Sequence, residues 1–247
     1  VNDTDGKASS LMRRRKALGM LGAAAAAVLA ERSDAQPGAS GSAKRKQPAC
    51  ILTPEQTEGP YFVDERLNRS DIRVDPTDGL ARPGVPLALV LRISSISSAG
   101  CTPLTGAVVD IWHCDAAGIY SDVADPGFSS LGKKFLRGYQ VTDANGNARF
   151  VTVYPGWYRG RAVHIHFKVR AKAGSGQGYE FTSQLYFDDA ITDRVHARNP
   201  YAGRGQRKVK NEGDAIFRDG GSQLVLSLVE GTQGYSATFD VGLRMPR

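Results

Sequence analysis

The chain has 247 residues, 41% of them hydrophobic, and 32 Lys and Arg against 25 Asp and Glu give it a formal charge of +7. This ordinary globular balance excludes a wholly disordered chain, a coiled coil and a multi-span membrane protein. The charge is uneven: residues 1–49 hold nine basic and four acidic groups, a net of +5, which leaves +2 for residues 50–247. So neutral a body offers no basic face to nucleic acid, and no such partner is expected.

At the start of the chain, Arg13-Arg14-Arg15-Lys16 runs directly into the Ala-rich apolar stretch of residues 17–30. A basic segment followed by a short apolar one has the form of a secretory leader. The stretch is too short for a membrane span, which takes about 20 residues. It resembles a bacterial twin-arginine export signal. The expected organisation is a leader over residues 1–35, cleaved after Ala30 or Ala35, a polar disordered linker over 36–49 and a folded domain over 50–247. A leader of this kind implies a periplasmic or extracellular protein with no membrane span after processing. Cys50, Cys101 and Cys114 fit an exported protein with one disulfide and one spare thiol. An extended strand between Cys101 and Cys114 would hold them more than about 30 Å apart, whereas a disulfide needs Cα atoms within about 7 Å. Cys50–Cys101 is therefore favoured, and Cys50–Cys114 stays open.

From residue 85 onward the pattern is of strands and turns. β-Branched and aromatic runs predict strands at 86–94, 106–114, 137–143, 147–154, 161–171, 180–187, 222–230 and 235–243. Asn145-Gly146, between two of these runs, is the strongest hairpin signal. One short helix is predicted near 189–197. The expected fold is all-β, a β-sandwich of about eight strands with long loops.

The chemistry concentrates in residues 154–169. Along a strand, Val163, Ile165, Phe167 and Val169 face one way and His164 and His166 the other. Their Cβ atoms then lie about 6–7 Å apart, which suits two ligands of one metal. A pair of half-buried strand histidines is the plain alternative. Tyr158 lies six residues before His164 behind a Pro-Gly turn, and Tyr120 falls in the loop after the 106–114 strand. No carboxylate stands in the histidine strand, as a two-histidine, one-carboxylate ferrous site would require, and the cysteines do not have zinc spacing. Two imidazoles with phenolates form a hard, anionic donor set that favours a trivalent ion. A strongly Lewis-acidic metal is needed to hold a tyrosine as phenolate, since its free pKa is about 10.

Residues 57–62 (TEGPYF), 106–122, 142–158, 160–169 and 182–189 together resemble the intradiol ring-cleavage dioxygenases, the catechol and protocatechuate dioxygenase family. The resemblance implies a non-haem Fe(III) centre held by Tyr120, Tyr158, His164 and His166. Tyr158 would also take part in catalysis, and Arg161 and Gln184 would line the substrate pocket. It further implies O₂-dependent cleavage of a catechol-type aromatic ring between its hydroxylated carbons, giving a cis,cis-muconate-type product. Arg161 has a plain alternative as a surface ion-pair partner, and Gln184 as a residue satisfying backbone groups. His113 reads as a strand or supporting histidine, His196 as a surface residue and Trp112 as core. TEGPYF either sets a loop beside the site or pins the first strand. The spacing between Tyr158 and His164 is shorter than in cytosolic members, which implies a more open pocket. The N-terminal helical dimerisation region of catechol dioxygenases is missing from the pattern, and a homodimer remains one assembly to test. The competing reading is an exported β-sandwich that binds catechol-type ligands or iron without turnover.

Overall fold

The computed structural model describes residues 51–173 and 176–246. The expected leader and linker lie outside the described residues. The strands are β1 (Pro86–Ser97), β2 (Gly100–Pro103), β3 (Val108–Trp112), β4 (Ala124–Asp125), β5 (Phe128–Ser129) and β6 (Arg137–Val141). They continue with β7 (Asn147–Val153), β8 (His164–Lys172), β9 (Gly178–Tyr186), β10 (Val229–Gly231) and β11 (Gly234–Leu243). Two short helices follow β9: α1 (Asp189–His196) and α2 (Ala215–Arg218).

The first sheet is built on β1, which pairs in parallel with β11 and antiparallel with β2 and β7, while β10 flanks β11. The second runs β6-β3-β8-β9, all antiparallel, and β4 and β5 form a separate ribbon. Period-two alternation sends Leu87, Leu89, Leu91 and Ile93 of β1 into the core. There they join Val109 and Ile111 of β3 and Ile165, Phe167 and Val169 of β8 in one apolar cluster. This is the expected β-sandwich.

Three local expectations need correction. The Asn145-Gly146 turn forms, with Gly146 N–H donating to the Asp143 carbonyl and Gly146 at φ 74°. It does not make a hairpin, because β6 pairs with β3 and β7 pairs with β1, so the turn carries the chain between sheets. A Cβ on Gly146 would lie 2.3 Å from the Ile93 carbonyl oxygen, so the turn is packed directly onto β1. The predicted strand at 222–230 is instead a 3-10 turn over Gly221–Leu224 and an extended run that becomes strand only at Val229. Gly220, at φ 80°, and the Gln223 N–H bond to its carbonyl turn the chain there. His196 is buried rather than on the surface, stacked 5.1 Å from Tyr201 with Nε2 on the Pro155 carbonyl. It closes α1 against the core, the side on which Val195 also sits.

Cys101 is disulfide-bonded and Cys114 is a buried free thiol. The spare thiol is therefore Cys114, and Cys50 lies outside the described residues. No helix among the described residues is long and apolar enough to cross a membrane.

Candidate metal centre

β8 turns His164 and His166 away from the core onto the outer face of its sheet, where both are nonetheless buried. Their Nε2 atoms lie 2.9 Å apart. Nδ1 of His164 is 2.7 Å from the Ala162 carbonyl oxygen, an acceptor only, so Nδ1 carries the proton. The neutral ring then presents a bare Nε2, the tautomer a metal ligand requires.

Tyr120 arrives from the loop after β3. Asp115 Oδ1 accepts from Ala117 N–H at 2.9 Å and Ile119 N–H at 3.0 Å, winding a tight turn through Gly118, whose φ is 77°. The turn ends with Tyr120 Oη 3.3 Å from His164 Nε2. Tyr158 comes from the Pro155–Arg161 loop, its ring edge-on to Tyr120 at 5.5 Å and 5.9 Å from the His164 ring. The two tyrosine loops touch backbone to backbone: a Cβ on Gly118 would meet the Trp157 carbonyl at 2.2 Å, and one on Gly156 the Asp115 carbonyl at 2.5 Å. Glycine at both places is what lets the phenols converge.

The donor set suits a hard cation. Burial, with the Arg161 charge adding to it, lowers the His164 pKa to about 3, and burial and His164 hold His166 well below its ordinary value. Both imidazoles are thus neutral. Burial drives the Tyr120 phenol well above 10; Tyr158 is also raised by burial, with Arg161 opposing. Neither phenol ionises unaided, so a cation must displace its proton. His166 Nδ1 is buried without a partner, so this ring's polar contact is through Nε2, with His164 Nε2. No group of three or more His, Cys, Asp or Glu among the described residues could hold a metal. The cluster here is made of imidazoles and phenols, and it fits ferric iron by charge and hardness.

Around this cluster, Trp112 stacks on His166 with ring centroids 4.9 Å apart. Arg161 points its guanidinium at polar partners: Nε donates to Asp214 Oδ2 at 2.8 Å and Nη2 to Gln184 Oε1 at 2.6 Å. Gln184, fully buried, also donates from Nε2 to the Thr57 carbonyl at 2.8 Å. It therefore satisfies a backbone group and holds Arg161 at once. His113 is buried with its ring between the Cys114 carbonyl and Thr152 Oγ1, and it bonds to none of the four candidate ligands.

The TEGPYF loop lies beside the site. A Cβ on Gly59 would sit 3.3 Å from His166 Cε1, and Tyr61 packs its ring 4.7 Å from Tyr120. Tyr61 Oη donates to Asp125 Oδ2 at 2.5 Å, tying the loop to the β4–β5 ribbon. Of the two readings of TEGPYF, the structure bears out the loop beside the site, with Tyr61 against both Tyr120 and Tyr158, whereas residue patterns did not single out Asp214 or Arg137. Asp214 had one readable signal, its place as an acidic cap before the Ala215–Arg218 turn. Arg137, buried, reaches Ser121 Oγ at 2.7 Å and braces the backbone next to Tyr120.

The family described as Dioxygenase matches residues 57–199. Chlorocatechol 1,2-dioxygenase of Pseudomonas putida is 34% identical over 151 residues, covering 53% of this chain and 52% of that protein. The protocatechuate 3,4-dioxygenase beta chain of Burkholderia cepacia is 31% identical over 122 residues, covering 46% and 51%. The chain spans about half the length of these curated relatives. Among solved structures, an intradiol ring-cleavage dioxygenase from Tetranychus urticae superposes with a TM-score of 0.68 at 31% identity, covering 79% of this chain and 95% of that one. The dioxygenase domain of a carbohydrate-binding fusion from Streptomyces sp. SirexAA-E gives 0.55 at 30% identity, covering 79% and 100%. The matched segment exceeds half the chain and contains both tyrosine loops, the histidine strand and Arg161, and the protein belongs to the intradiol ring-cleavage dioxygenase family.

Proposed function

We propose that this protein is a non-haem Fe(III) dioxygenase that opens a catechol-type ring between its two hydroxylated carbons. O₂ supplies two oxygen atoms, one C–C bond breaks, and a cis,cis-muconate-type diacid carries both atoms. The observation that carries this reading is the convergence of two neutral imidazoles, Nε2 to Nε2 at 2.9 Å, with the Tyr120 phenol at 3.3 Å. Tyr120, Tyr158, His164 and His166 would hold the iron. Ferric iron bound there would supply Lewis acidity toward the two substrate oxygens and draw electron density from the ring, readying it for O₂.

The remaining work falls to side chains. Tyr158 is half-buried where Tyr120 is sealed, so its Oη is the phenol oxygen placed to take a proton from a substrate hydroxyl. Arg161 offers a fixed positive charge in a largely desolvated setting, where charge developing on the ring is stabilised most. Trp112, stacked on His166, and Gly59 of the TEGPYF loop shield the His166 side, while Tyr61 covers Tyr120.

Oxygen uptake by the iron-loaded protein with a panel of catechols, read together with product mass, tests the reading. The expected product is heavier than the substrate by two oxygen atoms. Tight catechol binding with no oxygen consumption supports a non-catalytic binder instead, and full activity in a His164→Ala protein rejects the site. Export by the leader in residues 1–35 belongs to the same proposal, and fractionation of cells expressing the full chain tests it.

A further inference from the structure

We propose that Asp214 is a positioning residue for the reaction, setting the Arg161 guanidinium and the His164 ring together; this rests on the reading of the site given above. Asp214 lies outside the family-matched segment, at the N-terminus of α2, and is 2% exposed. Its two carboxylate oxygens have separate tasks. Oδ1 accepts from Ile216 N–H at 2.8 Å and caps the short helix. Oδ2 accepts from Arg161 Nε at 2.8 Å and from Ala162 N–H, also at 2.8 Å. Ala162 in turn offers its carbonyl to His164 Nδ1 at 2.7 Å.

One buried carboxylate oxygen is thus one hydrogen bond from the cation and two from an imidazole of the metal cluster. An arginine side chain has many rotamers, and holding its planar fork needs anchors on more than one nitrogen. Gln184 supplies one, and it is neutral. Among the described residues Asp214 is the carboxylate paired with Arg161, so it supplies the anionic anchor. Asn at this position keeps the cap through its one amide oxygen, but its amide nitrogen cannot accept from Arg161 Nε–H or Ala162 N–H.

The test is Asp214→Asn in the iron-loaded full chain, with Arg161→Gln, the double variant and Asp214→Ala beside it. Asp214→Asn should melt below the parent, because its amide nitrogen cannot accept where a carboxylate oxygen did, but should still load with iron, so kcat is read per bound iron. Its kcat should fall by about 10²-fold, the size expected for a misplaced catalytic group, with KM moving by less than about threefold. In the double variant the losses should fall short of multiplying, because much of Asp214's effect runs through Arg161. Asp214→Ala should also release iron to a chelator about 10-fold faster, through the loosened His164 ring. An Asp214→Asn protein with parental kcat per bound iron overturns the proposal, and so do losses that multiply in the double variant. If the parent protein itself consumes no O₂ with any catechol, the ring-cleavage reading fails. The positioning role is then judged on iron release, and an Asp214→Ala protein that holds iron as tightly as the parent overturns it.

Discussion

Trp112 and His166 face each other across the β3–β8 ladder, and their rings lie parallel within 4°. The indole also packs against Phe62, whose ring lies 4.8 Å away and tilted 58° to it. With no hydrogen-bond partner on His166 Nδ1, the imidazole is held by the indole stack and by its Nε2 contact to His164. Replacing Trp112 by Phe should keep the fold while lowering iron affinity about 10-fold, the usual size of a supporting-shell loss. Chelator competition measures it, and an unchanged affinity would show that the stack does not orient the ligand. Trp112→Ala should cost about 3–5 kcal/mol in urea unfolding.

The two phenols should separate by function because they differ in exposure. Tyr120 is sealed, with its backbone carbonyl held by Ser130 Oγ at 2.5 Å, whereas Tyr158 stands at the edge of the cluster. Tyr158→Phe should retain iron on the other three ligands and lose at least about 10²-fold in kcat, the contribution typical of a general base. Tyr120→Phe should lower iron content first. Equal iron loss in both variants would contradict this division of labour.

Gly59 holds φ 71° directly over His166. Ala at this position incurs a left-handed backbone cost of about 1–2 kcal/mol and brings a methyl 3.3 Å from His166 Cε1. The expected result is a lower melting temperature together with a change in the visible absorption of the ferric protein. A destabilised variant with an unaltered spectrum would place the loop outside the influence of the site.

Acid should destabilise the protein through its buried histidines. Burial lowers the His113 pKa from 6.5 to about 4. Unfolded, this ring takes a proton near pH 6.5; folded, it stays neutral until about pH 4. Between those values the unfolded state binds the extra proton, so stability is complete above the upper value and is lost as pH falls through the window. The slope is up to about 1.4 kcal/mol per pH unit for one such group. Denaturant unfolding of a His113→Gln protein should show a pH dependence shallower by about one proton. A slope identical to the parent's would mean His113 is not neutral in the fold.

Much of the architecture was legible in the residue pattern because it depends on local periodicity. Val163 and, in β8, Ile165, Phe167 and Val169 alternate with His164 and His166, and that alternation alone separates core face from site face. Pairing partners were not legible. The Asn145-Gly146 turn looks alike whether its flanking strands pair with each other or with two different sheets, and only the position of β1 decides. His196 looked superficial because its burial comes from Tyr201 and Pro155, residues not adjacent in the chain. Asp214 was hidden for the same reason. It lies 53 positions from Arg161, and an acidic residue before a short helix signals a cap and nothing more.

The parallel pairing of β1 with β11 carries a consequence for the timing of folding. Arg92 and Asp240, joined across this seam at 2.6 Å, are 148 positions apart. During synthesis β1 must therefore wait, its Leu87, Leu89, Leu91 and Ile93 already made, until almost the whole domain has left the ribosome. Late closure of this kind slows folding and leaves an apolar strand edge uncovered in the meantime. A nascent chain stalled before residue 234 should be a substrate for chaperones and proteases, although its histidine strand and both tyrosine loops are already complete.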